Sequence, residues 1–348
     1  MGPSGTTVLV HEWVTGGGLA GEAMPPSLAA EGSAMRRALA REFAAAGLRV
    51  RVTLDARFLE DDPGPWSVVR LVGTDAEGLI PAAREADYTL AIAPETAGVL
   101  AGLARAMEAE GVRSLGCSAA AIDLAGDKAR MARWLEDHGF ETPASRVVVP
   151  ASGLPRGVRF PAVLKPIDGA GAIDTYRIDG PDDLPPRGRA MRLALLQEYR
   201  PGVPMSASFL VDGGRAELVA TGRQDVVIEG GRFVYRGGSL PVPCPAAVPS
   251  LVRLVESLPG LRGLVGVDFL WDPDRREAVV LEINPRPTTS VVGLCRLLPP
   301  GLLARAWLAA CDAPGFEPPT PGTLAASIGP GVRADFEAGG RSEIVQVD

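Results

Sequence analysis

Asp268, Glu282 and Asn284 are the residues whose types and spacing best suit chemistry. Alternation along residues 263–283 puts Val265, Val267, Phe269 and Trp271 on one face of a strand, and Val279, Leu281 and Ile283 continue that apolar face across a turn at 272–277. The other face carries Asp268 on one strand and Glu282 with Asn284 on its partner. With the turn centred near residue 275, Asp268 lies across from Glu282, side chains about 5 Å apart. Two carboxylates that close repel unless a cation sits between them. Two acids and one amide offer only oxygen ligands, which suits Mg²⁺ shared with substrate phosphates; Mn²⁺ would also serve. A solvated polar face is the ordinary alternative for such a ribbon. Against it, Asn284 is the only Asn in the chain and is followed by Pro285-Arg286-Pro287.

Composition singles out two more positions. Of 35 basic residues, all but Lys128 and Lys165 are Arg, so lysine survives where a compact point charge serves and a guanidinium does not. Lys165 ends the apolar run 162–165 and precedes Asp168-Gly169-Ala170-Gly171-Ala172. A lysine before a small-residue loop makes a phosphate cradle, the ammonium meeting one phosphate and backbone N–H groups closing over others. Neither lysine follows a glycine, which excludes a Walker-type loop. Gln197-Glu198-Tyr199 leads through Pro201-Gly202 into an alternating strand, a joint able to present backbone groups to a flat heterocycle. Arg223 and Gln224 fall near another strand end, where a surface role and a site role weigh equally.

The elements that must position these residues change style along the chain. Strands at 7–13, 48–54, 88–93 and 112–115, separated by helices at 27–46 and 96–110, predict a parallel sheet covered by helices. A helix at 128–138 and short strands at 145–149 and 162–165 follow. Beyond 197 come strands and turns, a helix at 246–258, the hairpin at 263–283, and helices at 288–297 and 302–310. The tail after 314 predicts nothing definite. This divides the chain into an α/β domain at 1–118, a small subdomain at 119–196 and a larger one at 197–348, α/β and α+β in class.

The 348 residues are 46% hydrophobic and 22% charged, with net charge −7, which excludes a wholly disordered chain. The acidic balance argues against nucleic-acid or anionic-membrane partners. The most apolar stretch, 291–311, is broken by Arg296, Pro299, Pro300 and Arg305, which argues against a membrane span. Four scattered cysteines and no visible secretory signal lead to the expectation of a reduced, cytoplasmic protein. The oligomeric state stays open, a homodimer included.

Taken together, Asp127-Lys128, Lys165 with its loop, Gln197-Glu198-Tyr199, Asp268 and Glu282-Ile283-Asn284-Pro285-Arg286 resemble the ATP-grasp superfamily of carboxylate–amine ligases in order and spacing. The resemblance covers about residues 115–300 and implies an ATP-grasp fold behind a Rossmann-like pre-ATP-grasp domain. It implies that Lys128 and Lys165 contact ATP phosphates, and that Asp168, Gly169, Ala170, Gly171 and Ala172 close over them. Gln197, Glu198 and Tyr199 would hold adenine, floored by Leu270, while Asp268, Glu282 and Asn284 would bind two Mg²⁺. Arg286, with Arg223 as second candidate, would steady the acyl phosphate and the oxyanion that follows it. One departure concerns the ribose: Gly202 is followed by Val203-Pro204-Met205, without the Glu many relatives carry there. His11–Gly18, Glu31–Arg36 and Leu54–Arg57 are similar to the tyramine–glutamate ligase branch of methanofuran-type cofactor synthesis. That likeness implies small-molecule partners, a glutamate γ-carboxylate and an amine such as tyramine.

Two other readings compete. Gly16–Gly21 matches G-x-G-x-x-G after a strand, as in a nicotinamide-dependent oxidoreductase, but Pro25-Pro26 interrupts the helix that should receive the pyrophosphate. A nucleotide-binding scaffold without catalysis would bind Mg-ATP and release no ADP. His11 precedes the glycine loop at a strand end and could line a substrate pocket; His138 reads as structural.

Overall fold

The computed structural model describes residues 5–58, 64–71, 75–169 and 171–347. Ala170 therefore lies outside the described residues. Strands β1 (Thr7–Glu12), β2 (Arg49–Thr53), β3 (Trp66–Val69) and β4 (Tyr88–Ile92) form a parallel sheet in the order β3-β2-β1-β4. β1 is apolar on both faces because both are covered. Val8 and Val10 join Leu39 and Phe43 of α1 (Pro26–Ala45), while Leu9 shares a core with Leu100 and Met107. Pro26, free of an amide hydrogen, opens α1, and Met35, Leu39 and Phe43 repeat every four residues along its buried stripe. Helices α2 (Asp75–Arg84) and α3 (Val99–Ala109) cover the second face.

The expected strand at 112–115 is reduced to one parallel bridge, Thr89 with Ser114. Gly111 turns the chain immediately before it, at φ 65°, which leaves no length to pair. Helix α4 (Ala119–Gly126), capped by the Ser118 hydroxyl, was not foreseen. Asp127 then caps α5 (Lys128–Asp137) by accepting from the amides of Ala129 and Arg130.

Strands β5 (Ser145–Val148), β6 (Ala162–Pro166), β7 (Tyr176–Ile178) and β8 (Ala194–Glu198) pair antiparallel as β7-β6-β8-β5, with α6 (Pro186–Ala190) between β7 and β8. The larger sheet runs β13-β12-β9-β10-β11, from β9 (Val203–Asp212), β10 (Arg215–Glu229), β11 (Arg232–Leu240), β12 (Gly263–Asp272) and β13 (Glu277–Asn284). The two meet through Arg232 of β11 and Tyr176 of β7. Helix α7 (Val248–Ser257) packs Leu251, Leu254 and Val255 against Met205, Ala207, Val267 and Phe269 on one face of the larger sheet. The other face buries Leu210, Ala220, Leu240 and Leu264 with Val291, Leu294 and Trp307, and also carries Asp268, Glu282 and Asn284.

Helices α8 (Val291–Leu297) and α9 (Leu302–Ala310) are bent 117° apart and buried; among the described residues no single helix is long and apolar enough to cross a membrane. Trp307 of α9 is 1% exposed, packs on Phe43 and donates its indole N–H to Leu115 O at 2.8 Å. It thus ties the C-terminal half to the parallel sheet. The tail forms α10 (Thr323–Ala326) and a hairpin, β14 (Val332–Glu337) with β15 (Ser342–Gln346), that extends the large sheet from β11.

Candidate active site

The hairpin pairs Asp268 with Glu282 and Gly266 with Asn284. A bulge follows: Phe269 pairs with Val280, leaving Leu281 as an extra residue. This corrects the expected phase of β13. Ala278 and Val280, not Val279 and Leu281, join Val265, Val267, Phe269 and Ile283 in the core. The bulge falls beyond Glu282, so the acids keep their common face.

Asp268 accepts from Asn284 Nδ2 at 3.0 Å and from Gln224 Nε2 at 2.8 Å. Glu282 meets the ammonium of Lys128 at 2.7 Å. Burial, then the charge of Glu282, pushes the Asp268 acid up to about 7. Burial also opposes ionisation of Glu282, but Lys128 and Lys165 outweigh it and hold that carboxyl below its usual range. Two facing carboxylates that cannot both ionise freely form a site short of positive charge. The donor set, two acids and an amide, fits a hard divalent cation. Among the described residues no group of three or more His, Cys, Asp or Glu could hold a metal ion by itself.

Lys128 is the first residue of α5; its amide donates to Ile167 O and its Nζ to Gly169 O at 2.7 Å, joining the helix to the small-residue loop. Burial disfavours its charge, yet Glu282, Glu95 and Asp268 raise its pKa. Lys165 alternates with Leu164 on β6, so Leu164 enters the small core with Leu196 while Lys165 turns to the acids. It is 7% exposed, and burial, then Lys128, lowers its pKa to about 8. In the loop Gly169 and Gly171 take φ 137° and 67°, values that favour glycine, and Ala172 follows at 58°. Asp168 accepts from the Ala97 amide at 2.8 Å.

Around the strand-to-strand joint, Gln197 is buried and spends its Nε2 on Ser145 Oγ. The Glu198 amide donates to Ala144 O, and Tyr199 lies under the Arg177 guanidinium, 4.8 Å from the ring centroid. Leu270 shares the acid face, with Gly202 packed against it. Arg286 lies beside the cluster and pairs with Glu95: Nη2 donates to Oε2 at 2.9 Å, and Nε stands 2.9 Å from Oε1 as an ion pair without hydrogen-bond alignment. Burial opposes its charge, but Glu95, Glu31 and Glu282 raise its pKa.

Arg223 is not brought to the cluster. On β10 it pairs with Met205, whose side chain is in the core under α7, so Arg223 is exposed on the face away from Asp268. Strand alternation delivers Gln224 instead. His11 is buried, 2% exposed: its Nδ1 bonds Thr53 Oγ1, its Nε2 has no hydrogen-bond partner, and burial lowers its pKa to about 4. The glycine stretch forms a single wide turn at Val14–Gly18, and α1 begins only at Pro26, so no helix N-terminus follows it to receive a pyrophosphate. Arg57 pins that loop through the carbonyls of Leu19 and Glu22. Glu95, missed in the sequence, stands just past the carboxyl end of β4, where ligands gather in α/β sheets.

Comparison with known proteins agrees with this geometry. Residues 48–122 match the pre ATP-grasp 3 domain and residues 125–290 the ATP-grasp domain, together more than half of the chain. The chain is 30% identical over 211 residues to the tyramine–L-glutamate ligase of Methanocaldococcus fervens, covering 60% of this chain and 61% of that one. It thus spans about three fifths of that relative. It is 27% identical over 228 residues to the D-alanine–D-alanine ligase of Nitratidesulfovibrio vulgaris, covering 62% of this chain and 75% of that one. In fold it is similar to an ATP-grasp superfamily protein from Archaeoglobus fulgidus (TM-score 0.68, 22% identity, 99% of this chain and 100% of that one). An L-amino acid ligase from Bacillus licheniformis is also similar (TM-score 0.67, 15% identity, 96% and 79%). With both matched domains in sequence order and the fold shared along nearly its whole length, the chain belongs to the ATP-grasp superfamily.

Proposed function

We propose that the protein joins a carboxylate to an amine at the expense of ATP, with glutamate γ-carboxylate and a tyramine-like amine as the first pair to test. The observation that carries this reading is the facing pair Asp268 and Glu282, with Lys128 and Lys165 turned to it. Two lysines for phosphate and two acids for a divalent cation are what transfer of a phosphoryl group to a carboxylate asks for. The ligase names of the relatives support the reaction class. In this reading residues 1–118, 119–196 and 197–348 act as pre-ATP-grasp domain, small lid and metal-bearing subdomain.

Asp268, Glu282 and Asn284 would hold Mg²⁺, which supplies charge neutralisation on the phosphoryl oxygens when bound. Lys128 and Lys165 bind phosphates, the loop from Asp168 to Ala172 excludes water above them, and the joint Gln197–Tyr199 with Leu270 takes the adenine. A substrate carboxylate oxygen bonds to the γ-phosphorus while the β–γ bridging bond breaks and ADP leaves. The amine nitrogen then bonds to the acyl carbon, phosphate departs with the electron pair of the C–O bond, and the amine loses a proton. Arg286 faces the oxyanion of that second step. A cytoplasmic location, where ATP is supplied and the four cysteines stay free thiols, fits this chemistry.

The test is ADP release by the purified protein with Mg-ATP, glutamate and a panel of amines, followed by the product mass. ADP release that needs both acid and amine, with a product heavier by the amine minus water, supports the reading. ATP binding without ADP release for any pair contradicts it.

A further inference from the structure

Past the end of β4 the chain makes a tight turn, Glu95–Gly98, that touches three separate parts of the site. Glu95 holds Arg286 by one hydrogen bond and a second charge contact across 191 positions of sequence, and the two side chains are 7% and 13% exposed. A Cβ at position 126 would lie 3.2 Å from the Glu95 Cβ, so Gly126, two residues before Lys128, leaves room for the Glu95 side chain. Ala97, held at φ 54°, directs its amide at Asp168 of the loop. Hydrogen bonds from Gly98 N to Glu95 O and from Leu100 N to Pro94 O fasten the turn to α3.

Counting donors shows what the pairing leaves. A guanidinium has five N–H groups in a fixed plane. Glu95 Oε2 accepts from Nη2, Glu95 Oε1 stands 2.9 Å from Nε without a hydrogen bond, and Pro287 O accepts one bond from Nη1 at 3.3 Å. One N–H on each of Nη1 and Nη2 remains, and a guanidinium can offer two such donors together to two oxygens of an anion. A buried ion pair is in itself weak evidence of stabilisation, because desolvation offsets the attraction. Its geometric effect is plain: the N-terminal domain sets the orientation of a guanidinium that belongs to the ATP-grasp domain.

We infer that Glu95 is a positioning residue for the ligation reaction, holding the Arg286 guanidinium with free N–H groups turned to the oxyanion. This rests on the ligase reading above. Glu95 touches no substrate in this account and acts through Arg286 alone.

A double-mutant cycle tests it. Glu95→Gln lowers kcat about tenfold or more while KM for ATP stays within about threefold. In an Arg286→Ala background the same change has no further effect beyond about twofold. Independent, additive losses overturn the proposal. A second measurement needs no turnover: labelling of Arg286 by phenylglyoxal, read by peptide mass, is slow in wild type and accelerates in Glu95→Ala. Should Glu95→Ala not fold, Glu95→Asp, which keeps the charge on a shorter arm, takes its place. Unchanged labelling in a folded variant also overturns the proposal. Absence of ADP release from wild type sinks the ligase reading instead, and the labelling rates still decide whether Glu95 holds Arg286.

Discussion

Lys128 and Glu282 form an ion pair of 2.7 Å across the mouth of the carboxylate pair. The ammonium stands in for the charge that a divalent cation would bring, while burial and then the charge of Glu282 leave the Asp268 acid raised to about 7. Binding of Mn²⁺ or Mg²⁺ with nucleotide must therefore release the proton of Asp268. Affinity should fall by up to about tenfold per pH unit below 7 and level off above it. Titration calorimetry in two buffers of different ionisation heat reads the released proton. A pH-independent affinity between pH 5.5 and 8 contradicts the assignment.

The same shift predicts a stability effect in the free protein. A folded-state pKa raised from 3.8 to about 7 favours the fold fully below the lower value, and that gain disappears as pH rises through the higher one. Asp268→Asn removes this slope. It should melt about 2–4 °C above wild type at pH 8 and show no advantage at pH 4. Equal melting temperatures at pH 8 would show that the carboxylates are not in conflict.

Lys165→Arg should be severe although it keeps the charge. Lys165 is 7% exposed between β6 and the acids, and a guanidinium is wider and cannot offer a compact point charge. The expected loss in kcat/KM for ATP is about 100-fold, with circular dichroism unchanged. Wild-type rates would reduce the rarity of lysine to an accident of composition.

Arg223 and Gln224 are neighbours with opposite expectations. Arg223 lies on the helix-covered face, whereas Gln224 bonds Asp268. Arg223→Ala should stay within about twofold of wild type, and Gln224→Ala should lose about tenfold, the worth of one hydrogen bond to a charged group. The reverse order would place the reacting groups on the wrong side of the sheet.

The contrast between these two shows how far the sequence could be read. Proximity to a strand end nominated both, but only pairing with Met205 shows which face each takes. Asp268 opposite Glu282 was legible because period-two alternation needs no partner to be counted. The inward positions of β13 were not, since the bulge that makes Leu281 an extra residue is a property of the pair of strands. Lys128 and Lys165 stood out against an arginine background. Glu95 did not, because its role depends on Arg286, which only the packing of the N-terminal domain on the ATP-grasp domain brings near. The strands after 314 escaped notice for a similar reason: β14 exists by pairing with β11, nearly a hundred positions earlier.

The central claim is that Asp268 and Glu282 hold the divalent cation beneath the phosphates. Anomalous diffraction from crystals grown with Mn²⁺ and a non-hydrolysable ATP analogue tests it most directly. The account predicts manganese about 2.1 Å from carboxylate oxygens of both residues, with the Lys128 ammonium moved off Glu282 onto phosphate. Manganese bound elsewhere, with the Lys128–Glu282 pair intact and nucleotide present, would contradict it.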